Sequence, residues 1–149
     1  MKIGLLTIHN TQNYGSLLQT YSTYKALHKL GLDIDLIDYR NDAITRREKP
    51  NDLVESISVK QIVKYFIWGN AQKRKYNSIM QFLKENTSMS PEYDKTSIVN
   101  ANKVYEGFIV GSDIVWGTNI TGRDMTYFLD FTSDDKKRYS FSSSIGTKW

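Results

Sequence analysis

The chain has 149 residues, enough for one hydrophobic core, and 40% of them are hydrophobic and 24% charged, which excludes a disordered polymer. It contains no cysteine, so disulfide frameworks and thiolate chemistry are excluded. The net charge of +4 is uneven: nine basic against five acidic residues fall in 41–90, with Lys73-Arg74-Lys75 the tightest run. That run reads as a solvated helix face rather than a nucleic-acid surface, although an anionic substrate or a membrane-bound saccharide carrier could also use it.

The apolar run Ile3-Gly4-Leu5-Leu6 within residues 2–8 predicts a buried strand. It is too short for a signal-peptide core or a membrane span, which makes the cytoplasm the expected compartment, with no transmembrane segment. Leu17, Tyr21, Tyr24 and Leu27 recur at helical spacing, with Ala26 and Leu30 nearby, and Gly31 supplies a stop. Residues 33–38 predict a second strand, so the first forty residues make a strand–helix–strand unit of a parallel sheet. Residues 41–52, polar and carrying Pro50, read as a loop.

Val59, Ile62, Val63, Phe66 and Ile67 predict a helix ending at Gly69-Asn70. Tyr76, Ile79, Met80 and Leu83 predict another, broken by Ser90-Pro91. A short helix near 97–102 precedes a third strand over 107–111, and the alternation around Tyr139-Ser140-Phe141-Ser142 predicts a fourth over 138–143. The fold class is α/β, a Rossmann-like parallel sheet flanked by helices, in a single domain over 1–149. Four strands would leave an edge or a face uncovered, so a second domain or a partner chain is expected.

In open α/β sheets ligands bind beyond the carboxyl ends of the strands. Three loops take that place: His9 to Ser16, Gly111 to Gly117, and Ser142 to Gly146. Gly15 permits close backbone approach to a ligand, and free N–H groups at the helix start favour an anion, while Ser16 equally suits the helix N-cap. The first loop lacks G-x-G-x-x-G, so Asp38 at the end of strand two reads as a loop-capping or solvated carboxylate rather than a ribose ligand.

Asp33 and Asp35 alternate on a strand and read as exposed carboxylates on one face; no cluster has metal-ligand spacing. His28 reads as a boundary packing residue. His9, at a strand end, is the better acid–base candidate, with packing or loop hydrogen bonding ahead of catalysis. Asp113 could orient substrate hydroxyls and Trp116 could stack on a sugar, or Asp113 could cap a turn and Trp116 fill the core; the two pairs of roles carry equal weight.

The chain resembles the polysaccharide pyruvyltransferase family. The matching stretches are residues 2–7 (KIGLLT), 13–21 (NYGSLLQTY), 37–40 (IDYR), 108–116 (FIVGSDIVW), 127–131 (YFLDF) and 137–146. N-Y-G followed far downstream by G-S-D-x-V-W is more selective than either motif alone. The resemblance implies the N-terminal half of a two-domain, glycosyltransferase-B-like enzyme. It implies transfer of pyruvate from phosphoenolpyruvate, as donor substrate and without a cofactor, to a sugar or lipid-linked saccharide acceptor of a surface polysaccharide precursor. Such an enzyme would work in the cytoplasm, at the inner face of the membrane.

The family's main Arg and His contacts to phosphoenolpyruvate are implied to lie in a C-terminal half, and the catalytic residues stay unassigned. The cleft residues implied here are Asn13, Tyr14, Gly15, Ser16, Gly111, Ser112, Asp113 and Trp116. Where the family usually carries Gln and Asn in its second motif, this chain has Ile114 and Gly117. A non-catalytic, truncated remnant that binds a sugar or a partner protein, and a different glycosyltransferase of the same fold, are the competing expectations.

Overall fold

A computed structural model describes residues 1–48 and 69–146. Five strands form one all-parallel sheet: β1 (Lys2–Leu6), β2 (Asp33–Tyr39), β3 (Met89–Tyr93), β4 (Gly107–Val110) and β5 (Lys137–Ser140), in the order β3-β2-β1-β4-β5. The chain leaves β1 toward β2 on one side and returns to β4 on the other, so the sheet's topological switch point lies between β1 and β4.

The two-residue side-chain period of the strands divides the core between two faces. Leu5, Leu36 and Ile109 pack with Leu17, Tyr24 and Leu27 of α1 (Tyr14–Lys29) and with Ile79 and Leu83 of α3 (Asn70–Asn86). Their neighbours Leu6, Ile37, Phe108 and Val110 face the opposite way, against Ile44, Tyr105, Val115, Tyr127 and Leu129. The helix expected over 59–67 lies outside the described residues.

α1 follows its apolar stripe and stops at Gly31, which sits at φ +82° and donates its N–H to the carbonyl of His28. His28 is exposed one turn past the buried Tyr24, with the two ring centroids 6.1 Å apart. The short helix near 97–102 is a 3-10 helix, Ile98–Lys103.

Two segments differ from expectation. Residues 42–48, read as loop, form α2 (Asp42–Glu48), because the Asn41 side-chain oxygen accepts the Ile44 N–H at 2.9 Å and caps it. Residues 89–93, read as a helix break, form the fifth strand. Pro91 is tolerated because β3 is an edge strand whose register with β2 shifts beside it. At the other edge all four residues of β5 are exposed, and Tyr139 and Phe141 remain 45% and 39% exposed.

Two buried carboxylates tie the sheet to its surroundings. Asp35 was expected to be exposed beside Asp33; only Asp33 is. Asp35 is buried and accepts from Lys2 Nζ at 2.8 Å, Ser88 Oγ at 2.6 Å and Tyr105 Oη at 2.9 Å. Asp124 accepts from the Tyr39 hydroxyl, from Asn41 Nδ2 at 2.7 Å and from the Thr126 N–H at 3.0 Å.

Burial alone would raise both carboxyls, but these donors outweigh it and hold both below the usual range. A carboxylate with a depressed folded-state pKa contributes stability above its unfolded pKa of about 3.9 and loses it as pH falls through the folded value. The melting temperature is therefore expected to hold from pH 7 to about 5 and to drop steeply below about pH 4. A melting temperature unchanged down to pH 3 would show that neither carboxylate is an ionised anchor.

Candidate functional site

Beyond the carboxyl ends of β1 and β4 the structure has a cleft of about 220 Å³. Its walls come from the β1–α1 loop (Thr7, Ile8, Thr11, Asn13), the first turns of α1 (Ser16, Gln19, Thr20), the end of α2 (Arg47, Glu48), the loop after β4 (Ser112, Asp113, Ile114), and Ile120 in the short helix α4 (Thr118–Thr121). The two sequence motifs named above therefore meet at the switch point.

Not all of their residues reach the cleft. Asn13, Ser16, Ser112 and Asp113 line it; Tyr14, Gly15, Gly111 and Trp116 do not. Asn13 is the N-cap of α1: its Oδ1 accepts the Gly15 N–H at 2.7 Å, so this amide is already used and not free for an anion. Ser16, an equal candidate for the cap, instead donates its hydroxyl to the carbonyl of Ile8 at 2.7 Å and fastens the loop to the helix. Tyr14 is exposed and lies under Lys75, with Nζ 4.5 Å from the ring centroid. Lys73 and Arg74 are exposed, as a solvated helix face requires.

In the second loop Ser112 is buried, its hydroxyl 2.9 Å from that of Thr23 on α1. Asp113 is exposed at the cleft. Its backbone rather than its carboxylate makes the local bonds, from its N–H to Ser142 O at 3.1 Å and from the Ser144 N–H to its carbonyl at 2.8 Å. Trp116 is half-buried against the core: it stacks on Phe128 at 5.8 Å between centroids and donates Nε1–H to the carbonyl of Tyr127 at 3.0 Å. That geometry gives Trp116 the packing role.

Residues that the sequence reading missed complete the cleft. Gln19 and Thr20 stand at i+3 and i+4 from the expected Ser16, a polar stripe legible in principle from helical spacing. Arg47 and Glu48 carry no local signal, because their place depends on α2 folding back onto the loop. Glu48 Oε2 accepts the Gln12 N–H at 2.9 Å, its carbonyl accepts Gln12 Nε2 at 2.7 Å, and Arg47 Nε lies 3.1 Å from Glu48 Oε1.

Beneath the cleft loop, His9 is buried with Nε2 2.9 Å from Asp38 Oδ1 and Nδ1 3.3 Å from the carbonyl of Thr7. Loop hydrogen bonding is therefore the role its contacts describe. Asp38 is not solvated, contrary to expectation: it is buried, lies 2.7 Å from Arg40 Nε in an ion pair and accepts a hydrogen bond from Arg40 Nη2 at 2.9 Å. Burial would raise its carboxyl; the His9 hydrogen bond and the Arg40 guanidinium overcome this and hold it below the usual range. Arg40 reaches on to Tyr76 of α3, 2.7 Å from its hydroxyl, so α3, β2 and the cleft loop are joined.

A second cleft, of about 290 Å³, opens beyond β2 between Asn41, Asp42, Arg46, Lys95 and Gly122. Among the described residues no group of His, Cys, Asp and Glu could hold a metal ion, and no helix is long and apolar enough to cross a membrane.

No curated protein and no solved structure matches the chain. The family model described as polysaccharide pyruvyl transferase matches residues 13–149, which takes in both cleft motifs and four of the five strands. The chain belongs to the polysaccharide pyruvyl transferase family.

Proposed function

We propose that this chain supplies the acceptor side of an enzyme that transfers pyruvate from phosphoenolpyruvate to a sugar of a surface polysaccharide precursor, and that the switch-point cleft seats that sugar. The observation that carries the reading is the composition of the cleft wall. Among the described residues of the wall hydroxyls and amides predominate, and the one cation, Arg47, is paired with Glu48. Such a wall suits the hydroxyls of a neutral saccharide. Phosphoenolpyruvate carries a carboxylate and a phosphate, whose charges call for several cations.

In this reading a second domain of a glycosyltransferase-B-like pair contributes those cations, and the reaction runs on the cytoplasmic side of the membrane without a cofactor. Two sugar hydroxyls add to the enol carbon; of their two protons one goes to the methylene, which becomes a methyl, and the other leaves with the departing phosphate, giving a ketal. Preorganised charge at the departing phosphate and a base at the attacking hydroxyl are what this chemistry requires. Asp113, exposed in the cleft, is the side chain of this domain best placed to accept a hydrogen bond from an acceptor hydroxyl.

Asp113→Asn tests the reading in two measurements. Because the carboxylate is exposed, the melting temperature should change little. Saccharide affinity should fall about tenfold, as expected for a hydrogen bond to a charged group of about 1.5–3 kcal/mol partly retained by the amide. A large loss of stability with unchanged affinity would make Asp113 a structural residue.

A further inference from the structure

The cleft that we read as the acceptor site is not polar throughout. Most of its hydroxyls and amides come from the β1–α1 loop and α1, with Ser112 after β4, whereas Ile8 in the first loop, Ile114 after β4 and Ile120 in α4 contribute aliphatic surface. A hexose carries a hydroxyl on nearly every ring carbon, and a hydroxyl pressed against isoleucine leaves water without a replacement partner. Ile114 is poorly able to move aside. Its carbonyl accepts the Gly117 N–H at 2.9 Å, and Gly146, at φ +73°, lies so close that any side chain there would collide with Ile114 Cγ2. β-Branching further restricts its χ1. Charge narrows the ligand again: among the described lining residues Arg47 is paired to Glu48, so Asp113 leaves an excess negative charge there that disfavours an acidic sugar.

Resting on the acceptor reading, we propose that the cleft selects a neutral sugar bearing a methyl group, either a 6-deoxy carbon or an N-acetyl methyl, which packs on Ile114 and Ile120. The two sources share one chemistry and differ in the arm of the experiment that reveals them. Affinities for D-fucose against D-galactose and for L-rhamnose against L-mannose, pairs that differ only at carbon 6, test the 6-deoxy carbon, and N-acetylglucosamine against glucose tests the acetyl methyl.

The wild type should favour the methyl-bearing member of at least one pair by about tenfold, the lower end of what one such group is worth in a pocket. Ile114→Thr keeps the Cγ2 methyl that faces Gly146 and replaces the rest of the side chain by a hydroxyl, so it should fold with a similar melting temperature and lose most of that preference. Ile114→Val should retain it. Equal binding within every pair, or a preference unchanged in Ile114→Thr, overturns the proposal while leaving saccharide binding standing. Binding of none of the six sugars overturns the acceptor reading and this proposal with it.

Discussion

Gly111→Ala is expected to be the most damaging single-methyl change in the described fold. Gly111 sits at φ +138°, which L side chains rarely adopt, and a Cβ there would strike the carbonyl oxygen of Phe141. Neither backbone can yield: the Gly111 N–H is bonded to Leu6 O at 3.0 Å and the Phe141 N–H to Val110 O at 2.9 Å. Strain and clash together should cost more than about 3 kcal/mol, against a total stability of about 5–15 kcal/mol. For a chain of this size that is a fall of roughly 10 °C or more in melting temperature. Gly31→Ala gives the comparison. It also has a positive φ, of +82°, but no atom lies within 4 Å of the added Cβ, so only the conformational cost of about 1 kcal/mol applies. Similar losses for the two variants would mean that β4 and the Phe141 backbone are not held together as described. Since Ser112 and Asp113 follow Gly111 directly, its replacement should also displace one wall of the cleft.

Asp38→Ala is expected to have the next largest effect, and for an electrostatic reason. The buried carboxylate balances Arg40 and bonds the buried His9 ring, and its removal leaves both without that partner inside the protein. Breaking a buried pair from one side costs about 3–5 kcal/mol, mostly through the group left behind. Glu92→Ala removes the other acid near Arg40, 3.4 Å away but 68% exposed, and should cost less than about 1 kcal/mol. Chemical denaturation of both variants checks the contrast; comparable losses would place the anchor of Arg40 at the surface. Because His9 ties the β1–α1 loop to β2 through Asp38, Asp38→Ala should also weaken saccharide binding, whereas Glu92→Ala should not.

These two variants also show which parts of the molecule the sequence could disclose. β1, β2 and β4 were legible because buried parallel strands are nearly continuous apolar runs, and α1 because its apolar stripe ends at Gly31. β3 was hidden by Pro91, a breaker in a central strand but acceptable at an edge beside a register shift. α2 was hidden by its brevity, since Ile44 is its one buried residue and a seven-residue helix shows no period.

The loops after β1 and β4 were recognisable as cleft walls from their strand-end position, but the direction of each side chain was not. Trp116 packs against the edge of the core because the Tyr127 carbonyl and the Phe128 ring, 11 and 12 residues along the chain, hold its indole. Gly111 reads as a ligand-facing glycine in sequence and is instead required by the backbone of β5's successor. Arg47, Glu48 and the environment of Asp38 depend on contacts 29 to 36 residues apart, which no local pattern encodes.

The cleft between β1 and β4 is proposed to seat a sugar. Isotope-labelled protein titrated with the methyl-bearing and hydroxylated sugars named above tests it most directly, through the amide resonances. Saturable shifts are expected at Thr11, Ser112, Asp113 and Ile114, with Asp42, Arg46 and Lys95 at the second cleft unmoved. Shifts confined to that second cleft, or none at any sugar concentration, would contradict it.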